Sequence, residues 1–178
     1  TQKGLYRGFI EDLPNEGVQD MVDLGITHVL LMPVYDFEGT DEIKKNELYN
    51  WGYNPSQYNV PEGWFSANPD DPYERINELR EVVDTLHGKG LRVNMDVVYN
   101  HVFNMGTFPF EKLVPGYFFR FDDKGIRTEV SGCGNDIASE RPMMQKFILN
   151  SIKWWMNTYH IDGFRFDLMG LLDIETMN

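Results

Sequence analysis

Several things are scarce in this 178-residue chain, and each scarcity closes off a reading. It has one cysteine, Cys133, so no disulfide can form within the chain and the redox compartment stays undetermined. That residue sits in SGCGND, outside any redox or metal motif, and reads as a bystander thiol. Positive charge is in the minority: 16 Lys and Arg stand against 28 Asp and Glu, for a formal net charge of −12, with no basic cluster. A chain of this kind has no electrostatic footprint for nucleic acid or an anionic membrane surface, and neither is expected as a partner. No apolar run approaches the roughly 18 residues of a membrane-spanning helix. Of the four histidines, His28, His87 and His160 lack a partner at metal-ligand spacing and read as structural. There is no glycine-rich phosphate loop, internal repeat or low-complexity linker. The sequence opens at Thr1 rather than Met, so the lack of a leader says little about location.

With 42% hydrophobic and 14% aromatic residues, a chain this long can build its own core. Helical and extended patterns alternate, which predicts an α/β class. Residues 14–25 read as a short helix with Val18, Met21 and Val22 in a stripe, ended by Gly25. ITHVLLMPV (26–34) reads as a strand apolar on both faces, as in a parallel sheet covered on both sides. DDPYERINELREVVDTLHGKG (70–90) is the clearest helix: Asp70 or Asp71 caps it, Pro72 opens it, and Ile76, Leu79, Val83 and Leu86 face inward. LRVNMDVVYNH (91–101) is a second strand. A third helix, capped by Ser139 and running to about Tyr159, turns Met144, Phe147, Ile148, Ser151 and Trp155 inward. IDGFRFDLMG (161–170) is the last strand. Two long loops, 35–71 and 102–138, each follow the carboxyl end of a strand, where α/β folds build their sites.

The last strand raises the chemical question. Strand side chains alternate with a period of two. Phe164, Phe166 and Leu168 then share one face, while Ile161, Gly163, Arg165 and Asp167 share the other. A guanidinium beside a carboxylate favours its charged form and fixes its rotamer, as a nucleophile requires. A structural ion pair at a strand end reads equally well from periodicity alone. In the preceding strand Asn94 and Asp96 lie on one face, and Asn100 and His101 sit at the exit. Asp96 can brace Arg165 or simply satisfy loop amides. The segment ELYNWGYNPSQYNVPEGWF (47–65) crowds Tyr49, Trp51, Tyr53, Tyr58, Trp64 and Phe65 into one loop, either as a small core or as a surface for sugar stacking.

Together these stretches resemble the α-amylase family of glycoside hydrolases. DVVYNH (96–101) is similar to the family's first signature and GFRFDLMG (163–170) to its second. YNWGYNP (49–55) resembles the signature of type I pullulanases, the α-1,6 debranching branch, and VPGYFFR, SGCGNDIASERPM and YHIDGFRFDLMG read like that branch too. The resemblance implies a (β/α)8 TIM barrel, of which residues 1–178 would be the amino-terminal half of the catalytic domain, roughly strands 2–4 with their helices and long βα loops. GLYRGFI (4–10) would be at most a hint of the first strand.

It also implies roles. Asp167 would be the nucleophile of a retaining double displacement, with Arg165 orienting it and Asp96 bracing Arg165. His101 would hydrogen-bond the reacting sugar and Tyr53 would stack under it, with Trp51 and Asn100 also in the substrate site. Asn100 matches a calcium-binding position of many α-amylases; no metal or cofactor is required by this reading, and calcium is left open. The family's Glu acid/base follows the fifth strand, and this chain stops after the fourth. Retaining glycosidases need both carboxyls, so the isolated chain is expected to be inactive. An exposed sheet edge is expected to promote self-association. The implied partners are α-glucans such as pullulan, amylopectin and limit dextrins. The implied location is extracellular or at the cell surface, although cytoplasmic members exist. Two other readings stay open: an α-1,4-acting hydrolase or transglycosylase of the same family, and a catalytically inert glucan-binding fragment.

Overall fold

The computed structural model describes residues 2–14, 17–44 and 49–178. In chain order the elements are α1 (Tyr6–Phe9), α2 (Val18–Asp23), β1 (His28–Leu31), β2 (Tyr35–Phe37), β3 (Pro55–Pro61), α3 (Pro72–Gly88), β4 (Arg92–Val97), α4 (Pro109–Leu113), α5 (Pro142–Tyr159), β5 (Gly163–Phe166) and α6 (Ile174–Met177). Strands β1, β4 and β5 form a parallel sheet in the order β1-β4-β5, and β2 and β3 form a separate antiparallel pair. The class is therefore mixed α/β, as expected. No helix among the described residues is long and apolar enough to cross a membrane.

The long helices follow their sequence signals. The Asp71 side chain accepts from Tyr73 N and caps α3, with Pro72 in its first turn. Leu79, Val82, Val83 and Leu86 are buried along α3, while Ile76 is only half-buried. Helix α5 buries Met144, Ile148, Ser151 and Trp155 as read, with Phe147 half-buried. The middle strand is the most enclosed: Val93, Met95 and Val97 are buried on one face and Asp96 on the other.

Other expectations need correction. Strand β1 is not covered on both sides. It alternates exposed and half-buried residues, because it lies at the sheet edge, and Leu30 is 53% exposed. GLYRGFI supplies a short helix, α1, instead of a strand. The predicted 14–25 helix is confined to Val18–Asp23, and residues 15 and 16 lie outside the described residues. Ser139 does not cap α5: Arg141 occupies the cap position without a side-chain bond, and the Ser139 hydroxyl instead accepts from Asp173 N at 2.8 Å. The supposed loop 35–71 contains the β2–β3 pair, whose register shifts on both sides of Asp36. Strand β5 also ends early. Leu168 adopts a left-handed conformation (φ 47°) and leaves the strand alternation 45% exposed.

Candidate functional site

Register assembles the site. Asp96 of β4 is the pairing partner of Arg165 of β5. Arg165 Nη1 donates to both Asp96 oxygens, at 3.0 and 2.9 Å, and to Asp167 Oδ1 at 2.8 Å. One nitrogen thus spans two carboxylates. Asp96 is 4% exposed and takes a further bond, from Tyr53 OH at 2.6 Å. Burial, then the bond to Asp96, pushes the Tyr53 hydroxyl up to about 12. The bond to Asp96 likewise raises the Arg165 guanidinium above its ordinary value. Gly163 makes room for the polar face: a Cβ there would stand 2.6 Å from Asn94 Oδ1.

Asp167 stays in the ladder through its backbone N, which donates to Val97 O at 2.9 Å. Asn100 Nδ2 donates to the Asp167 carbonyl at 2.9 Å and to Oδ2 at 3.3 Å. Both Asp167 oxygens are therefore held, one by Arg165 and one by Asn100. Asn100 Oδ1 lies 2.5 Å from His101 Nδ1, and His101 Nε2 lies 3.1 Å from the Tyr53 carbonyl. With Nδ2 of Asn100 turned to Asp167, both imidazole nitrogens face oxygen acceptors, and a neutral ring can donate at only one of them. Burial lowers the His101 pKa, opposed by the Tyr53 carbonyl and by the charges of Asp167 and Asp136.

Six of the seven sequence-predicted residues thus form one hydrogen-bonded cluster: Asp96, Arg165, Asp167, Asn100, His101 and Tyr53. The seventh, Trp51, stands apart. It is 64% exposed and, with Leu31, Met32, Tyr6, Phe9 and Phe65, lines an open apolar cavity of about 600 Å³. The aromatic loop divides between the two readings made of it. Tyr58 is buried core, while Tyr49 and Trp51 present their rings to solvent. Asn50 shapes this stretch by donating to the Glu38 carbonyl at 2.9 Å and accepting from Gly52 N at 2.9 Å. Gly52 has φ 86°, and a Cβ there would meet Pro33 O at 2.8 Å, so only glycine suits the position.

Calcium does not fit at Asn100, because Oδ1, the atom a hard cation would take, faces His101 Nδ1 and Nδ2 faces Asp167. Elsewhere among the described residues, Asp36, Glu42 and Glu62 bring carboxylate oxygens within 4.8 Å of one another. Arg75 answers that charge with bonds to both Glu42 oxygens, at 3.0 and 2.7 Å.

Sequence reasoning missed the residues that hold the strand exit. Tyr58 OH donates to His101 O at 2.7 Å, and Asn135 bonds both the N and the O of Val102. Neither carries a local sequence signal: Tyr58 lies in β3 and Asn135 in an irregular loop, and only the fold brings both to the strand exit.

The arrangement has relatives. The pullulanase of Bacillus subtilis is 52% identical over 163 residues, 92% of this chain and 23% of the relative. A solved structure of a variant pullulanase from Paenibacillus barengoltzii complexed with maltotetraose superposes with a TM-score of 0.96 at 48% identity, over 100% of this chain and 29% of that one. The chain belongs with the pullulanases. A pullulanase type I from Bacillus subtilis, solved with maltose, gives a TM-score of 0.96 at 49% identity over 99% of this chain and 26% of that one. The chain thus spans about a quarter of the length of these pullulanases. No protein-family model matches it.

Proposed function

We propose that this chain supplies the nucleophile half of a debranching glycoside hydrolase that cleaves α-1,6-glucosidic links in pullulan and branched α-glucans with retention. Residues 1–178 are one part of a (β/α)8 catalytic domain in this reading, and β1, β4 and β5 are three of its strands. The observation that carries it is the clamp on Asp167: Arg165 on Oδ1 and Asn100 on Oδ2 fix a carboxylate at a strand's carboxyl end, beside a tyrosine and a histidine. The Tyr53 ring forms the floor of the reacting subsite, His101 contacts the sugar, and Trp51 extends the surface along the glucan. Oligosaccharides of α-linked glucose are the ligands, in keeping with the maltotetraose and maltose in the solved relatives. This reading requires no metal.

Asp96 cannot be the second carboxyl of such a reaction, because both its oxygens already accept from Arg165 and Tyr53. In this reading the acid/base is the family's Glu after the fifth barrel strand, and this chain alone binds glucan without cleaving it. The test is reducing-sugar release from pullulan, by this chain and by a polypeptide extended to the length of the pullulanase relatives. The expected result is no release from the chain, release from the extended protein, and loss of that release in its Asp167→Asn variant. A folded extended protein that leaves pullulan intact sinks the proposal. Linkage analysis of the products separates α-1,6 hydrolysis from α-1,4 hydrolysis or transglycosylation.

A further inference from the structure

The backbone leaving β4 is held at four successive residues. Asn100 O accepts from Ile137 N at 2.9 Å, and His101 O accepts from Tyr58 OH at 2.7 Å. Val102 N donates to Asn135 Oδ1 at 3.0 Å, while Asn135 Nδ2 returns a bond to Val102 O at 2.7 Å. Phe103 N donates to Pro55 O at 2.8 Å. The Asn135 side chain therefore does for Val102 what a neighbouring strand would do, but from a loop. Asn135 is 2% exposed and Tyr58 3%, so water is a poor substitute partner for either bond.

The loop that carries Asn135 is itself braced. Ser131 Oγ donates to Asn135 O at 2.9 Å. The Asp136 carboxylate accepts from Thr128 Oγ1, Val130 N and Ser131 N at 2.7, 2.8 and 2.9 Å, and these bonds hold its pKa below the usual carboxylate range. Both clamps act within one residue of His101, whose ring bridges Asn100 and the Tyr53 carbonyl.

We propose that Asn135 and Tyr58 are positioning residues for His101: by fixing the backbone at 101–102 from two different segments, they set the imidazole between Asn100 and the Tyr53 loop. The proposal rests on the reading of His101 as a sugar-contacting residue, but its geometry can be tested without sugar. Neither residue touches the reacting atoms. A residue with only a structural role would lower stability without moving the imidazole relative to Tyr53.

The experiment compares the chain with its Tyr58→Phe, Asn135→Ala and Asp162→Asn variants. Asp162 is the control: it binds Val93 N, His87 and Arg92, around the amino-terminal start of β4. Thermal unfolding gives the stability of each, and NMR cross-relaxation between the His101 ring protons and the backbone protons of Tyr53 and Asn54 gives the ring position. The expected result is loss of that cross-relaxation in Asn135→Ala and Tyr58→Phe, and its retention in Asp162→Asn despite a comparable fall in melting temperature. Should Asn135→Ala not fold, Tyr58→Phe decides the matter, because it keeps the ring and removes only the hydroxyl. Unchanged cross-relaxation in the folded variants, or an equal loss in Asp162→Asn, overturns the proposal. Failure to bind maltotetraose with the cross-relaxation pattern as expected would count against the glycosidase reading and leave this one standing.

Discussion

Arg165 answers two carboxylates with one nitrogen, which makes the site unequal in its dependence on its members. Removing the guanidinium leaves Asp96 buried with Tyr53 as its remaining side-chain partner. Breaking a fully buried pair costs roughly 3–5 kcal/mol, but Arg165 is 49% exposed on its side chain, which lowers the cost. Arg165→Ala should therefore lose about 2 kcal/mol in urea unfolding. Tyr53→Phe should lose about 1 kcal/mol, and the double variant should depart from additivity, since both bond the same Asp96 oxygen. Additive losses would mean that Asp96 is hydrated and the cluster is not a unit. At this scale the site was largely legible in the sequence: period-two alternation puts Arg165 and Asp167 on one face, and β4 offers Asp96 to the same side. Asn135 and Tyr58 were not legible, because their bonds reach the strand exit from a loop 33 residues away and from β3, 43 residues away. No local periodicity records such a pairing.

Among the elements, α3 and α5 could be read because their apolar stripes span several turns and α3 carries its own cap. The β2–β3 pair could not, since two register shifts in three residues erase the alternation and prolines stand at both ends of β3. A buried carboxylate stitches that pair: Glu62 accepts from Phe37 N at 2.9 Å and from Trp64 N at 2.6 Å. Burial, reinforced by Asp36 and Glu42, lifts its pKa to about 7 against an ordinary 4.5. The folded state therefore keeps a proton that the unfolded chain releases, and stability falls as pH rises through that window, by on the order of 3 kcal/mol. Glu62→Gln should flatten this slope in urea unfolding followed from below pH 5 to above pH 7. The His101 shift has the opposite sign: its lowered pKa costs stability as pH falls below the ordinary histidine range. A slope unchanged by Glu62→Gln would place the titration on another group. The turn that presents Tyr53 can be probed through Gly52→Ala. A Cβ at 2.8 Å from Pro33 O, with φ 86°, should cost about 1–3 kcal/mol and lower the melting temperature.

For the molecule as a whole, the exposed rim of β1 governs behaviour in solution. Leu30 and Met32 are 53% and 42% exposed on and just beyond an edge strand, next to the apolar cavity. An uncovered edge of this kind pairs with other edges. The chain should therefore associate with itself as concentration rises, and Leu30→Lys should shift sedimentation velocity profiles toward monomer. A wild-type chain that stays monomeric would show that the edge is protected. The family resemblance implies an open sheet edge, but the apolar run 26–34 itself reads as covered on both faces, because such a run looks the same whether the next strand is present or not.

The partnership of Asp96 with Arg165 spans 69 residues of chain. A ribosome adds roughly 5–20 residues per second, so β4 leaves it about 3–14 s before its charged partner exists. During that interval Asp96 has no guanidinium, and Val93, Met95 and Val97 lack the strand that later flanks them. The nascent polypeptide is thus most exposed to misassembly and to chaperone capture between the synthesis of β4 and that of β5. Substitutions that weaken α5, the last long helix made before β5, should lengthen that vulnerable interval, reducing the yield of folded protein in the cell even where purified material is stable.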